Sequence, residues 1–355
     1  MKVLLVESGA AWGTAEVEAG LAVGLASHGV ELLRYPLEGR LARAGRMLTA
    51  EWKHLGKGRP GPTSGDVLYH ASKDALIKAL REDVDVVLVV AAILFSPDVL
   101  ILMRRAGLPV TLVLTEAPYD LGREFEYAGY CSGVWTTERS IVPAFRVVPP
   151  GFAKYLAHAW HPGIHTPAPR PDDAAVPAHD VVIVGTGFAD RIAWLEAIDW
   201  TGIDLGLYGH WSGLLPKRSK LKRFVRASTT ANTTAAALYR RAKVGINLYR
   251  QRSALDASGP VLVGESCNPR AFEMAACGLP HVSTYRPEVA EVFGDVVPVV
   301  TTPAEGAAAV RALLDEAPAA RAVRAGALVD AVRGASWIDR AAMVVADLRS
   351  LAPAA

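Results

Sequence analysis

The sequence predicts an α/β protein built from two doubly wound domains, each organised around a parallel sheet. Short apolar, β-branched runs alternate with helical segments, a proline-rich stretch interrupts the alternation, and the alternation then restarts. The 355 residues suffice for two domains of about 150 residues each. We expect domains over residues 1–160 and 179–336, a linker over 161–178, and a C-terminal helix over 337–355 that packs back on the first domain.

In the first domain, runs rich in valine and leucine predict the strands, and amphipathic or alanine-rich segments predict the helices. The helix over 13–28 should turn Ala15, Ala19, Ala22, Val23 and Ala26 inward. Residues 39–65, rich in glycine, proline and basic residues, predict a loop. Expected strands cover 3–6, 30–34, 84–90, 110–115 and 133–136, and expected helices cover 13–28, 66–81 and 97–106.

The second domain repeats this alternation after five prolines between positions 162 and 177. Two doubly wound domains that face a central cleft would bring the carboxyl ends of both sets of strands to it, and ligands bind at such edges. Expected strands cover 180–184, 204–208, 244–248, 281–284 and 296–300, and expected helices cover 190–198 and 233–242.

Composition narrows the class of protein. Hydrophobic residues make up 51% of the chain and the mean hydropathy is +0.21, which argues against disorder. A net charge of +2 does not indicate a nucleic-acid or membrane partner. The most apolar run, residues 84–102, is too interrupted for a membrane span. Three scattered cysteines support neither disulfides nor a zinc site, and free thiols suit a cytoplasmic protein.

The segment 265–280 carries the most functional information. Asn268 is a good N-cap and Pro269 suits the first helical position. Arg270 and Glu273 share a face near the positive end of the helix dipole, and Phe272 lies on another side. A helix start with a cation, amides and a carboxylate suits a ligand that carries phosphate and sugar hydroxyls. A capped helix with a surface ion pair is an equally good interpretation.

A glycine turn follows the first strand of the second domain. Gly185, Thr186, Gly187 and Phe188 precede a helix that carries Arg191 in its first turn. Glycines there allow close approach of a phosphate to free amides. The motif lacks the third glycine of a dinucleotide fingerprint, so a simple tight turn is an equal alternative.

Two further strand ends of the second domain carry candidate ligand residues. Tyr208 and Gly209 precede a histidine and Trp211, and an aromatic pair beside a glycine could flank a nucleobase or form a hydrophobic lid. Asn247 and Arg250 follow the next strand, where a cleft-facing pair is plausible.

Candidate acceptor-side residues follow strands of the first domain. Glu116, Tyr119 and Asp120 close the strand 110–115, and Glu116 could act as a general base on an acceptor hydroxyl. A carboxylate that caps a turn is an equal alternative. The same two interpretations, an acceptor-side role and a structural one, apply to Glu7 and Trp12, which follow the first strand.

A basic run from Lys217 to Arg226 holds six basic residues and no acidic one. Such a run is usually a solvated face, although it could steer anionic donors or contact nucleic acid. His161 and His165 lack ligand partners at useful spacing, so we interpret them as structural and expect no metal.

Four of these segments together resemble the GT-B glycosyltransferases, and most of all the spore-maturation-protein (CgeB-type) group. The stretch 268–284, with Arg270, Phe272 and Glu273, is similar to the C-terminal signature of the fold. The segments 115–119, 161–167 and 184–188 match the same group in the same order, the last being followed by Arg191 and Leu195. The resemblance spans roughly residues 110–300.

The resemblance implies a transferase that moves a sugar from a UDP- or GDP-linked donor to an acceptor hydroxyl. The second domain would hold the donor and the first the acceptor. Glu273 would bind the ribose hydroxyls, while Arg270 and the glycine turn would neutralise the diphosphate, so that neither metal nor cofactor is needed. Glu265 and Glu273 match the paired glutamates of retaining enzymes, but Cys267 to Arg270 departs from their glycine-phenylalanine run; retention is slightly favoured.

Alternatives remain at this point. A nucleotide-sugar epimerase of the same fold would need no acceptor, and a non-catalytic sugar-nucleotide-binding protein would bind the donor without turnover. The acceptor of a transferase could be a protein, a glycan, a small molecule or a modified DNA base. As catalytic residues the sequence predicts Glu116, Glu265 and Arg270.

Overall fold

The computed structural model describes residues 1–8, 14–56, 58, 60–146, 151–253 and 259–352. The chain divides into two compact units, Met1–Ala157 with Trp337–Ala355, and His158–Ser336. The strands are β1 (Lys2–Val6), β2 (Glu31–Tyr35), β3 (Val86–Val90), β4 (Val110–Leu114), β5 (Gly133–Thr136), β6 (Ala153–Tyr155), β7 (Val181–Val184), β8 (Leu205–Tyr208), β9 (Val225–Ala227), β10 (Val244–Asn247), β11 (His281–Thr284) and β12 (Val299–Val300). The α-helices are α1 (Ala15–Ser27), α2 (Leu37–Leu55), α3 (Ser64–Arg81), α4 (Pro97–Arg105), α5 (Leu121–Ala128), α6 (Ala189–Glu196), α7 (Asn232–Arg241), α8 (Pro269–Ala276), α9 (Pro287–Phe293), α10 (Pro303–Leu314), α11 (Pro318–Ala331) and α12 (Trp337–Leu351).

Each unit holds one six-stranded sheet in which the described pairings are parallel. The strand order is β2-β1-β3-β4-β5-β6 in the first unit and β12-β11-β10-β7-β8-β9 in the second. Every residue of β3 and β4 is buried, as expected for parallel strands covered on both faces. The predicted α/β fold with two doubly wound sheets is therefore confirmed.

The prediction of a loop over residues 39–65 is wrong for its first part, because α2 begins at Leu37 and continues to Leu55. Leu37, Leu41 and Ala44 recur at helical spacing and pack against the core of the first unit. Gly39 has open space around its Cα. Leu37, Leu41 and Ala44 form a single stripe, and α3 covers this stripe.

The inward face predicted for α1 is also wrong, since only Ala22 of the five proposed residues is buried. The buried face instead carries Gly20 and Gly24, which contact the C-terminal helix α12. A Cβ at Gly20 would lie 2.0 Å from the Trp337 ring, and one at Gly24 would lie 2.4 Å from the Trp337 carbonyl oxygen. The close approach of two helices, rather than alanine periodicity, decides which side of α1 is covered.

The proline-rich segment 161–178, expected as a linker, packs into the second unit. It contains a 3-10 helix, Pro171–Ala175, whose Asp173 accepts two hydrogen bonds from Arg240 of α7 at 2.6 and 2.7 Å. Arg240 also donates to the Ile164 carbonyl at 3.1 Å. A buried bidentate ion pair therefore fixes a segment whose composition alone suggests no partner.

Candidate functional site

The carboxyl ends of β7 and β10 meet the start of α8 in the second unit. Asn268 caps α8, its side chain accepting a hydrogen bond from the Ala271 amide at 3.2 Å. Its Nδ2 donates to Oδ1 of Asn247, the last residue of β10, at 2.8 Å. The predicted N-cap thus also ties the helix start to the strand end. Asn247 Nδ2 is buried and has no hydrogen-bond partner among the described residues.

Arg270 lies in the first turn of α8, and its side chain reaches the end of β7. Its Nε donates to the Val184 carbonyl at 2.5 Å. A Cβ added at Gly185 would lie 3.1 Å from Arg270 Nε and 3.2 Å from Cζ. The guanidinium is therefore held over the glycine turn, next to the helix start where the dipole is positive. Two of the sequence-predicted features come together here.

The predicted free amides of the glycine turn are mostly engaged in hydrogen bonds, since those of Gly185, Gly187 and Phe188 all donate to backbone carbonyls. Gly185 N donates to the Tyr208 carbonyl and Gly187 N to the His210 carbonyl, both at 2.9 Å. The glycines instead allow close packing: a Cβ at Gly187 would lie 2.6 Å from the Trp211 ring, and one at Gly209 would lie 2.4 Å from the Gly185 carbonyl. The turn shapes the site, and Arg270 supplies its charge.

Arg191 is buried and holds neighbouring loops together. Its Nε donates to the Leu248 carbonyl at 2.8 Å and its Nη1 to the Thr186 carbonyl at 2.9 Å. Its Cζ lies 5.1 Å from the centroid of the Phe188 ring, and Cζ of Arg250 lies 5.3 Å from the same centroid. Because two of its donors bind carbonyls, Arg191 fixes the shape of the turn, while half-buried Arg250 is the more accessible cation.

Tyr208 and Trp211 do not flank an open site. Tyr208 is buried, and its hydroxyl forms a 2.8 Å hydrogen bond with His179 Nε2, while His179 Nδ1 lies 2.8 Å from the Asp204 carboxylate. Trp211 is fully buried and donates its indole N–H to the Tyr208 carbonyl at 3.0 Å. The prediction of an aromatic pair around a base is wrong for these side chains, which belong to the core.

Phe272 and Glu273 are both covered in the described structure. Phe272 is fully buried, with its ring centroid 6.3 Å from that of Phe293. It is a core residue rather than a ligand contact. Glu273 is 3% exposed, so its carboxylate lies within the unit. The predicted role of Glu273 toward a ribose stays a prediction.

Glu265 lies half-buried in the loop that leads to α8. The first turn of α9 fixes this loop from both sides: Glu288 N donates to the Glu265 carbonyl at 3.1 Å, and Glu288 Oε2 accepts from Cys267 N at 2.5 Å. Sequence reasoning missed Glu288. Its position directly after Pro287, at a helix start, was the available signal.

The acceptor-side candidates lie in the first unit. Glu116 and Asp120 line a pocket at the carboxyl ends of β3 and β4, and Tyr119 N donates to the Glu116 carbonyl at 2.8 Å. Glu7 forms an ion pair with Arg34 at 2.7 Å. Trp12 lies outside the described residues.

Glu124, on α5 in the same pocket, is a residue that the sequence did not single out. Its Oε1 accepts a hydrogen bond from the Glu116 amide at 2.8 Å. Burial raises the pKa of the Glu124 carboxyl to about 8, with the negative charge of Glu116 adding to the effect. No spacing rule distinguishes Glu124 from its exposed neighbour Glu126, so only the packed structure reveals it.

The basic run forms a solvated face. All six basic side chains of residues 217–226 are exposed. Arg226 forms an ion pair with Asp204 at 3.3 Å, and Lys220 and Lys222 donate to backbone carbonyls at 3.2 and 2.8 Å. None of these contacts indicates a base-reading surface.

The described residues lack two features, a metal-binding cluster and a membrane-spanning helix. No cluster of three or more histidine, cysteine, aspartate or glutamate side chains in those ranges could hold a metal ion. No helix in them has the length and apolar character needed to cross a bilayer.

Comparison with known proteins adds a family match. Residues 191–346, which begin within α6 and include all of α8, match a family described as Glycosyl transferase-like. Over these residues the chain is similar to glycosyl transferase-like domains. The predicted enzyme class is thereby confirmed, whereas the CgeB-type subgroup stays a prediction. No curated protein matches the chain.

Solved structures with the same fold include several GT-B glycosyltransferases. Sucrose-phosphate synthase from Thermosynechococcus elongatus is similar with a TM-score of 0.66 at 13% identity, over 99% of each chain. A UDP-forming α,α-trehalose-phosphate synthase from Burkholderia vietnamiensis gives 0.62 at 14% identity, over 99% of this chain and 100% of that one. HepE from Anabaena in complex with UDP-glucose gives 0.63 at 13% identity, with the same coverage. These similarities establish the GT-B fold of the chain.

Proposed function

We propose that this glycosyl transferase-like protein moves a hexose from a UDP- or GDP-linked sugar to an acceptor hydroxyl. The observation that carries the proposal is the placement of Arg270. Its guanidinium is fixed by the Val184 carbonyl over Gly185, beside the capped start of α8. A preorganised cation next to a helix N-terminus suits a diphosphate leaving group.

The same arrangement supports departure of the diphosphate without a metal ion. Arg270 and the dipole of α8 place positive charge where the leaving group would develop its negative charge, and the cation needs no reorganisation. Arg250 adds a second, partly exposed cation nearby, stacked over Phe188. We expect chelators to leave the rate unchanged.

Three finer assignments belong to the proposal. UDP is the first nucleotide to test, because similar solved structures contain UDP or UDP-glucose. Retention of configuration stays slightly favoured through the spacing of Glu265 and Glu273. A cytoplasmic location suits the three buried free thiols.

The decisive test is nucleotide binding by isothermal titration calorimetry. UDP, UDP-glucose, GDP and GDP-mannose are titrated into the unmodified protein, Arg270→Ala, and Arg333→Ala as a matched exposed-arginine control of the second unit. Loss of a charge-assisted contact to phosphate should weaken binding by about 10- to 100-fold in Arg270→Ala and not in the control. Equal affinities in all three proteins would overturn the assigned donor site.

Incubation with the donor alone separates the proposed activity from its rivals. A transferase releases nucleoside diphosphate slowly by hydrolysis and faster once an acceptor is added. An epimerase converts the donor sugar with no acceptor and no released nucleotide, and a binding protein does neither. Nucleotide release that is unchanged in EDTA supports the metal-free proposal.

A further inference from the structure

The second half of α2 extends away from the core of the first unit. Both buried residues of this helix precede Gly45, whereas every residue from Arg46 to Leu55 is exposed except half-buried Leu48. The start of α3 runs beside α2, because a Cβ added at Gly45 would lie 3.9 Å from Val67 Cγ2. Residues 46–55 are called the α2 tip below.

The α2 tip lies beyond the carboxyl edge of the first sheet. Tyr35, the last residue of β2, donates its hydroxyl to the Ala71 carbonyl at 2.6 Å. Ser96, which follows β3, donates its amide to Ser72 Oγ at 2.8 Å. These two positions of α3 therefore lie level with the strand ends. Because α3 then runs back toward the start of β3, its earlier turns and the α2 tip beside them extend past that edge.

Apolar side chains of the α2 tip are open to solvent. Met47 is 49% exposed, Trp52 40% and Leu55 65%. Leu48, Trp52 and Leu55 recur at i, i+4 and i+7, so they continue the apolar stripe of α2 beyond the core. The Trp52 ring rests on the chain before α3, where a Cβ added at Gly61 would lie 3.7 Å from it. Exposed apolar side chains grouped in this way mark an interaction surface.

Basic residues are concentrated in the same region. Residues 43–67 contain five lysines or arginines and two acidic residues, a net charge of +3. The whole chain carries +2, so the other residues together carry −1. In the α2 tip, Arg46 and Lys53 are seven positions apart on the side opposite the apolar stripe, and Glu51 is the one acidic residue. The exposed apolar face therefore has a basic face behind it.

The two faces of the α2 tip together select the kind of partner. Helices with lysine and arginine on one face and tryptophan and leucine on the other lie in the headgroup region of a bilayer. A second copy of the chain suits this surface poorly, because pairing the two tips would bring like charges together. An anionic lipid surface suits both faces, since it attracts the cations and takes up the apolar side chains.

We propose that the α2 tip binds the surface of an anionic phospholipid bilayer. Trp52 and Leu55 enter the headgroup region, and the long side chains of Arg46 and Lys53 reach the lipid phosphates beside the helix. The proposal goes beyond the donor site, which lies in the second unit. Binding in this way brings the carboxyl edge of the first sheet, where the acceptor-side candidates lie, toward the bilayer.

The experiment measures binding of the full-length protein to lipid vesicles by sedimentation. Vesicles of phosphatidylcholine alone are compared with vesicles of phosphatidylcholine and phosphatidylglycerol in equal parts. We expect binding to the mixed vesicles to be at least about tenfold tighter, and high salt to remove most of this difference. No binding to the mixed vesicles, or equal binding to both kinds, overturns the proposal.

Variants locate the lipid contact in the α2 tip. Leu55→Gln should weaken binding to the mixed vesicles by about three- to tenfold, because an apolar side chain no longer leaves water. The double variant Arg46→Gln with Lys53→Gln should weaken it by at least about tenfold, because two cations are lost. All three side chains are exposed, so the variants keep the fold, which circular dichroism checks. Unchanged binding in both variants refutes the surface.

Matched controls lie on α3, away from the α2 tip. Leu80→Gln removes a leucine that is also exposed, and the double variant Lys73→Gln with Arg81→Gln removes two exposed cations. Neither should change binding to the mixed vesicles. Losses equal to those in the tip variants would show that total charge or apolar content, rather than the α2 tip, decides binding, and would also refute the proposal.

Two further measurements separate this proposal from its alternatives. Sedimentation velocity without vesicles reports on a second copy: self-association that Leu55→Gln abolishes, with no lipid binding, would assign the surface to a dimer and overturn the proposal. Titration of UDP into the same samples should give one Kd for all of them. Failure of the unmodified protein to bind any nucleotide refutes the proposed function alone, since vesicle binding does not depend on the donor site.

Discussion

The guanidinium of Arg270 lies against the backbone of Gly185, so close that a Cβ at Gly185 would sit 3.1 to 3.2 Å from three of its atoms. Gly185 also adopts φ +152°, which L side chains rarely take. Arg270 also donates a hydrogen bond to the carbonyl of Val184, which is 86 positions away in the chain. Their contact defines the proposed diphosphate site.

Gly185→Ala should therefore impair donor binding more than folding. The added methyl group displaces Arg270, and we expect about a tenfold weaker Kd for UDP by calorimetry. Backbone strain should lower the free energy of unfolding by about 1–3 kcal/mol. Gly326→Ala, within α11 and free of close neighbours, is the control and should be neutral or slightly stabilising. Full donor affinity in Gly185→Ala would contradict the placement of Arg270.

Tyr208→Phe tests the conclusion that this tyrosine is structural. Its hydroxyl bonds only to His179 in the described contacts, so its loss should cost about 1 kcal/mol of unfolding free energy in urea titrations. The Kd for UDP should stay the same. A control without such a hydrogen bond is Tyr69→Phe in α3, expected to be near neutral. Reduced donor affinity in Tyr208→Phe would restore this residue to the site.

Gly20→Ala tests the packing of α12 on α1. A methyl group would lie 2.0 Å from the Trp337 ring, so the helices must separate. Overpacking of this kind should destabilise the protein by about 1–3 kcal/mol in denaturant titrations. Gly39→Ala, in α2 with open space around it, should not. Equal midpoints for the two variants would show that the helix contact is dispensable.

The raised pKa of Glu124 predicts a pH dependence of stability. The folded state keeps the proton up to about pH 8, while the unfolded carboxyl releases it near its ordinary value of 4.5. The folded state therefore binds more protons between these values, and stability falls as pH rises through that window, by at most about 1.4 kcal/mol per pH unit. Unfolding free energies of the unmodified protein and Glu124→Gln should converge near pH 4.5 and diverge toward pH 8. Parallel curves would show that Glu124 is not buried in the neutral state.

Much of the fold could be predicted because strands and helices have local signatures. The run Val86–Val90 is apolar throughout, and Asn268-Pro269 marks the start of α8 through its own backbone chemistry. The sequence did not predict the α2 helix, because this segment contains loop-forming residues and its apolar stripe is narrow. Its residues are mostly leucine, alanine, arginine and glutamate, which are good helix formers, so the glycines Gly39 and Gly45 misled the prediction.

The residues of the candidate site also divide into those that the sequence reveals and those that only the structure assigns. Arg270 and Asn268 could be found from their positions at a capped helix start. The roles of Tyr208, Phe272 and Arg191 could not, because each looks like a ligand residue in sequence. Burial and hydrogen bonds to distant groups, such as the Leu248 carbonyl for Arg191, assign them to the scaffold.

The sequence by itself determined the two α/β units, the helix start that carries Arg270, and the resemblance to GT-B glycosyltransferases, since these depend on local patterns and spacing. The tertiary structure decided which glycine meets Arg270, which aromatic residues are core, and that Glu124 is a buried carboxyl with an unsatisfied oxygen. These properties depend on atoms from distant segments that come together only when the chain folds. Desolvation, which sets the state of Glu124, has no counterpart in a linear sequence.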